Sequence, residues 1–147
     1  MLANLLCNST QITTNIFVLG GKNVGKTTLI TEVQNFLNLN LRKQRLDEFE
    51  NDVYSNKFDR SNLVYNFYEV KNIVLFKQFD KNFLNCSRNI VIVVYEILND
   101  RTEEFILKIK EIINDYYILC DIHMIKMRNC NDEIKVNLKF AEFSGKI

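Results

Sequence analysis

The chain has 147 residues, with 19 Lys+Arg against 18 Asp+Glu, a formal net charge of +1, 47% hydrophobic residues, four glycines and no proline. So even a charge balance gives no electrostatic reason to expect nucleic acid or an anionic membrane as partner. The scarcity of Gly and Pro argues against linkers, so 1–147 reads as one domain with its own core.

Cys7, Cys86, Cys120 and Cys130 show no CxxC spacing and read as reduced intracellular thiols rather than a metal site. "MLANLLCNSTQ" lacks a basic leader and "FSGKI" lacks a lipidation box, which predicts a cytoplasmic protein with no direct membrane anchor. The heavy use of Asn, Lys, Ile and Phe reads as composition bias rather than function.

In chain order, Thr13–Leu19 predicts a buried strand ending on Gly20-Gly21. From Lys26, the apolar residues Leu29, Val33, Phe36, Leu37 and Leu41 recur at helical spacing. "RKQRLDEFEND" then reads as a charged surface segment, with Asp47, Glu48 and Glu50 as solvated carboxylates. Asp52–Phe58 and Ser61–Val70 predict a strand pair, and Phe76, Phe79 and Phe83 a short helix with a core-facing side. Asn89–Ile97 is apolar on both faces, as in the centre of a helix-covered sheet. Asp100 and Glu103 form a capping box opening a helix whose stripe is Phe105, Ile109, Ile112 and Tyr116. A further strand is expected within Ile118–Met127, with His123 as a packed or edge residue. This order predicts an α/β sandwich with a mostly parallel sheet.

Gly20-Gly21-Lys22-Asn23-Val24-Gly25-Lys26-Thr27 matches G-x-x-x-x-G-K-[ST] at every fixed position, between a strand and a helix. Backbone N–H groups of such a loop converge on a phosphate at the positive end of the helix, and glycine lets the backbone approach closely. The candidate nucleotide-binding residues are Gly20, Asn23, Val24, Gly25, Lys26, Thr27 and Thr28. Lys26 supplies a charge to the β- and γ-phosphates, and the Thr27 hydroxyl a ligand for Mg²⁺.

With this loop, "NIVIVVYEILNDRTEEF", "RNCND" and "FAEFSGK", the chain resembles the small Ras-like GTPases, most closely the Rab branch. The resemblance implies a three-layer P-loop NTPase fold of small G-protein type, with an antiparallel second strand. It implies GTP/GDP and Mg²⁺ as cofactors, and a regulatory switch in vesicle trafficking that meets exchange factors and effectors. In "RNCND", Asn129 and Asp132 would stand for the guanine-reading N-K-x-D, with Cys130 in place of the lysine; the same residues also make a good hairpin turn.

The departures from the family matter as much. Glu69-Val70-Lys71-Asn72 stands where D-x-x-G is expected, and Ile73 where a glutamine would orient the attacking water. No Thr occurs between Thr31 and Thr102 to serve as the switch threonine. No catalytic residue is therefore assigned, and hydrolysis is expected to be weak or absent. Ile134, Val136, Leu138 and Phe140 alternate with polar residues just after the "RNCND" turn, predicting an antiparallel C-terminal edge strand where the resemblance implies a parallel one. The antiparallel arrangement would carry Ser144-Gly145-Lys146 away from the nucleotide. The alternative reading is a pseudo-GTPase interaction scaffold that no longer binds nucleotide. A small phosphotransferase ranks third, for want of an arginine-rich lid.

Overall fold

Helices lie on both faces of one mixed sheet in the computed structural model, which describes residues 11–20, 25–59, 62–95, 100–115 and 120–126. The strands are β1 (Ile12–Gly20), β2 (Arg42–Arg45), β3 (Asp52–Ser55), β4 (Leu63–Val70), β5 (Arg88–Tyr95) and β6 (Cys120–Lys126). Their spatial order is β2-β3-β4-β1-β5-β6. β4, β1, β5 and β6 are mutually parallel, while β2 and β3 form an antiparallel edge pair. This is the mostly parallel sheet with an antiparallel second family strand expected of a P-loop GTPase-like fold.

β1 and β5 are central because their residues are apolar on both faces, and each face has its own helical cover. Helix α1 (Lys26–Leu37) lays Leu29, Ile30 and Val33 against Ile16, Val18, Phe67, Ile90 and Ile92. The opposite face, with Phe17, Leu19, Tyr68, Val91 and Val93, is covered by the 3-10 helix Ile73–Gln78, α2 (Lys81–Asn85) and α3 (Asp100–Asp115). On that side the Phe17 ring packs on Tyr68 and Phe76, both at 4.9 Å between centroids. Among the described residues no helix is long and apolar enough to cross a membrane.

Several local expectations are revised. α1 stops at Leu37 because Asn38 takes a left-handed conformation (φ 53°) and the Leu39 N–H turns back to the Gln34 carbonyl (2.9 Å). Leu41 thus lies beyond the helix, still packed on the core, and Phe36 is exposed. The charged segment contains the edge strand β2, with all four residues exposed. β3 ends at Ser55, and a 3-10 turn, Lys57–Asp59, follows. The helix expected over Phe76–Phe83 is broken: α2 begins afresh after Asp80, whose carboxylate caps the Asn82 N–H at 3.0 Å. α3 opens where the Asp100/Glu103 spacing predicts, with Ile109 buried and Ile112 packed beside it. Cys86 is disulfide-bonded, not the free thiol expected of it. The alternating segment 134–140 lies outside the described residues.

At the amino end of the sheet a row of polar side chains crosses four adjacent strands. Ser55 Oγ donates to Asn66 Oδ1 (2.6 Å), Asn66 Nδ2 to Asn15 Oδ1 (3.0 Å), and Asn15 Nδ2 to Asn89 Oδ1 (3.2 Å). Asn89 Nδ2 closes the row on the Leu84 carbonyl at 2.7 Å. Each pair stands at directly opposed register positions, so a one-residue slip of any strand would break the row. Replacing the central member, Asn15→Ala, leaves the Asn66 amide and the Asn89 carbonyl buried and unpaired. The expected loss is about 3 kcal/mol, against about 1 kcal/mol for Ser55→Ala, read as urea midpoints at unchanged m-value.

Candidate functional site

The strand–loop–helix that carries the glycine-rich loop delivers its lysine to the carboxyl end of the sheet. Gly25 occupies the N-cap of α1 with φ 101° and ψ 24°, a backbone region that a Cβ disfavours. It turns the chain directly into the helix, so Lys26 is the first helical residue and points inward, 7% exposed. Its ammonium donates to the carbonyls of Gly20 (3.0 Å) and Val70 (3.4 Å), the last residues of β1 and β4. These neighbouring parallel strands feed helices on opposite faces of the sheet, α1 on one and the Ile73–Gln78 segment on the other. Such a parting point is where open α/β sheets form their ligand crevice.

Glu69 completes the cluster. It is 5% exposed; Oε1 accepts from the Thr27 hydroxyl at 2.8 Å and Oε2 from the Tyr54 hydroxyl at 3.1 Å. Burial pushes the Lys26 pKa below the ordinary lysine value, the Glu69 charge pulls it back up, and the Lys71 charge adds to the fall. The Tyr54 hydroxyl is held above the ordinary tyrosine range by burial, then by the charge and hydrogen bond of Glu69.

Directly across the ladder from Glu69 stands a second buried carboxylate, Asp52, 1% exposed. Like charges so placed repel. Arg45 Nε at 2.7 Å, Lys43 Nζ at 3.7 Å and Lys71 Nζ at 4.0 Å surround Asp52 and offset that repulsion.

Of the residues expected at the site, Gly20, Gly25, Lys26 and Thr27 come together around the ends of β1 and β4. Thr28 follows on the exposed first turn of α1. Asn23, Val24, Asn129 and Asp132 lie outside the described residues. Glu69 reaches Thr27 directly, with its extra methylene relative to Asp accommodated. Ile73 packs, partly buried, against the second core. His123 stands half-buried on β6, opposite Ile92. Tyr54 is a site residue that sequence patterning does not announce; its place two residues along β3 from Asp52 is the one pattern that suggests a role on the Glu69 face.

The donor set of Thr27 and Glu69 consists of hard oxygens, which suits Mg²⁺. Gly25 keeps a side chain out of the space before the helix, which suits a phosphate.

No protein-family model matches the chain, and no curated protein matches it. Among solved structures it is similar to an ADP-ribosylation factor-like GTP-binding protein, the small COPII coat GTPase SAR1 from Encephalitozoon cuniculi, in complex with GDP. The identity is 11% and the TM-score 0.36, over 99% of this chain and 88% of that one. At that TM-score the likeness bears on neither ligand nor activity.

The buried lysine has a pH signature. Its folded pKa lies below the unfolded value of 10.5, so between the two the unfolded chain binds more protons and stability rises with pH. Wild type should therefore gain stability relative to Lys26→Met as the pH is raised toward 10.5, measured by urea unfolding. Tyr54 and Tyr68, both raised, are common to the two proteins and cancel in the difference.

Proposed function

We propose that the chain is a guanine-nucleotide-binding protein of small GTPase type, with weak or absent hydrolysis. The observation that carries this reading is the Lys26 ammonium, held at the parting of β1 and β4 by two main-chain carbonyls. A buried lysine is costly unless its charge is matched. Glu69 supplies part of that match, and a phosphate would supply the rest.

In this reading Lys26 binds the β- and γ-phosphates, and Gly20, Gly25 and the Asn23–Lys26 main chain cradle the β-phosphate. Thr27 and Glu69 hold Mg²⁺, which when bound neutralises charge on the phosphate oxygens. Asn129 and Asp132 read guanine. Weak or absent hydrolysis is expected because Ile73, a partly buried apolar side chain packed against the core, stands where a water-orienting group would be needed.

The finer reading, a Rab-branch switch in vesicle trafficking, rests on the resemblance of "VVYEILN" alone. It adds exchange factors and effectors as partners, and a cytoplasmic protein that reaches membranes through them.

A second reading, an interaction scaffold without nucleotide, is favoured by one observation. Thr27, Glu69, Tyr54 and Lys26 already pair with one another or with main chain.

Calorimetry with GDP, GTP and ATP in Mg²⁺, on wild type and Lys26→Ala, separates the two. Guanine-selective binding weakened at least about 100-fold in the variant is expected, since more than one charge-assisted hydrogen bond is lost. No heat with any nucleotide would leave the scaffold reading standing.

A further inference from the structure

Asn51 is fully buried, and both ends of its carboxamide are spent on two segments that flank the candidate site. Oδ1 accepts from the N–H groups of Lys71 (2.7 Å) and Asn72 (3.0 Å), the first two residues beyond β4. Nδ2 donates to Asp47 Oδ2 (2.9 Å) and to the Asn72 carbonyl (3.2 Å). The turn that carries Asn51 is itself tied down: Asp47 Oδ1 accepts from the N–H groups of Phe49 (2.9 Å) and Asn51 (3.2 Å). Glu50 takes a left-handed φ of 65° to bring Asn51 inward, a cost that persists only where surrounding contacts fix the geometry.

We propose that Asn51 is a positioning residue that makes the site indifferent to a third phosphate. The inference rests on the nucleotide-binding reading above. Lys26 touches the Val70 carbonyl, so the N–H groups of Lys71 and Asn72 are the nearest main-chain donors beyond β4. A terminal phosphate could recruit them only by taking them from Asn51. Among the described residues, both oxygens of Glu69 accept hydroxyls, and the Lys71 ammonium leans to Asp52. Lys26 serves the diphosphate as well as the triphosphate, and among the described residues no main-chain donor just beyond β4 is released to the terminal phosphate. A triphosphate therefore gains little over a diphosphate, and the two segments stay where they are. The protein would then be a constant nucleotide carrier rather than a switch.

The test measures GDP and a non-hydrolysable GTP analogue by calorimetry on the full wild-type chain, with amide hydrogen exchange of 46–51 and 71–72 in each complex. Dissociation constants within about threefold, and the same exchange in both complexes, are expected. A preference of tenfold or more for the triphosphate, or protection at 71–72 specific to it, would overturn the inference while leaving nucleotide binding intact. No binding of either nucleotide would overturn both. Asn51→Ala frees the two N–H groups, and its triphosphate-to-diphosphate affinity ratio should rise about tenfold. A purely structural role would weaken both ligands alike. Should that variant not fold, the wild-type ratio and exchange pattern decide the matter.

Discussion

A lysine whose ammonium is buried at the junction of three elements sets the terms for everything around it. Lys26 can stay charged there only if carbonyls and a carboxylate converge on it, and that convergence fixes the geometry of the sheet's carboxyl end. β1 and β4 must end level with each other so that Gly20 and Val70 offer their carbonyls. α1 must begin immediately after a residue that tolerates a left-handed backbone, which Gly25 provides. Glu69 must face α1, which sets the phase of β4 and places its apolar neighbour Phe67 on the same core. The site is thus part of the reason the central strands keep their alignment.

The antiparallel edge follows from the same electrostatics. Glu69 on β4 places a carboxylate on the α1 face, and the ladder puts Asp52 directly opposite. Two buried anions side by side require cations, and β2 brings them: Lys43 and Arg45 fall on the face shared with Tyr54 and Asp52. Their charges also discourage pairing of the outer edge with another chain. Lys43 leans over the Tyr54 ring at 5.7 Å, and Arg42 and Lys57 lie over that of Phe58.

What the sequence disclosed and what it hid divide along one physical line. β1, β5, α1 and α3 were legible because burial on a face writes apolar residues at a period that can be counted. The turn from β1 into α1 was legible because Gly25 and Lys26 stand at a set spacing from Gly20. β2 was hidden, since "RKQR" has no apolar residue and its reason for being a strand lies in Asp52, seven positions beyond Arg45. Asn51 and Asp47 looked like ordinary loop residues, because a clasp between distant segments leaves no periodicity. The abundance of asparagine looks like composition bias, yet Asn15, Asn66 and Asn89 are buried and bonded to one another. Leu41 misled in the opposite sense, its spacing continuing the helical pattern past the point where Asn38 ends the helix, and Phe36, within the helix, is exposed.

That asparagine row bears on how the chain reaches its structure. Its two central links join residues 51 and 74 positions apart, so neither can form until distant parts of the chain have met. Contacts of that range are entropically expensive early in folding and slow its rate. A misaligned β1 could still bury Ile16 and Val18 well enough to persist, because apolar contact is tolerant of small shifts. An amide without its partner is not tolerant, and a shifted strand would keep several of them dry and unpaired. The row therefore acts late, as a proofreading step: collapse brings the strands together on hydrophobicity, and only the alignment that satisfies Ser55, Asn66, Asn15 and Asn89 together survives.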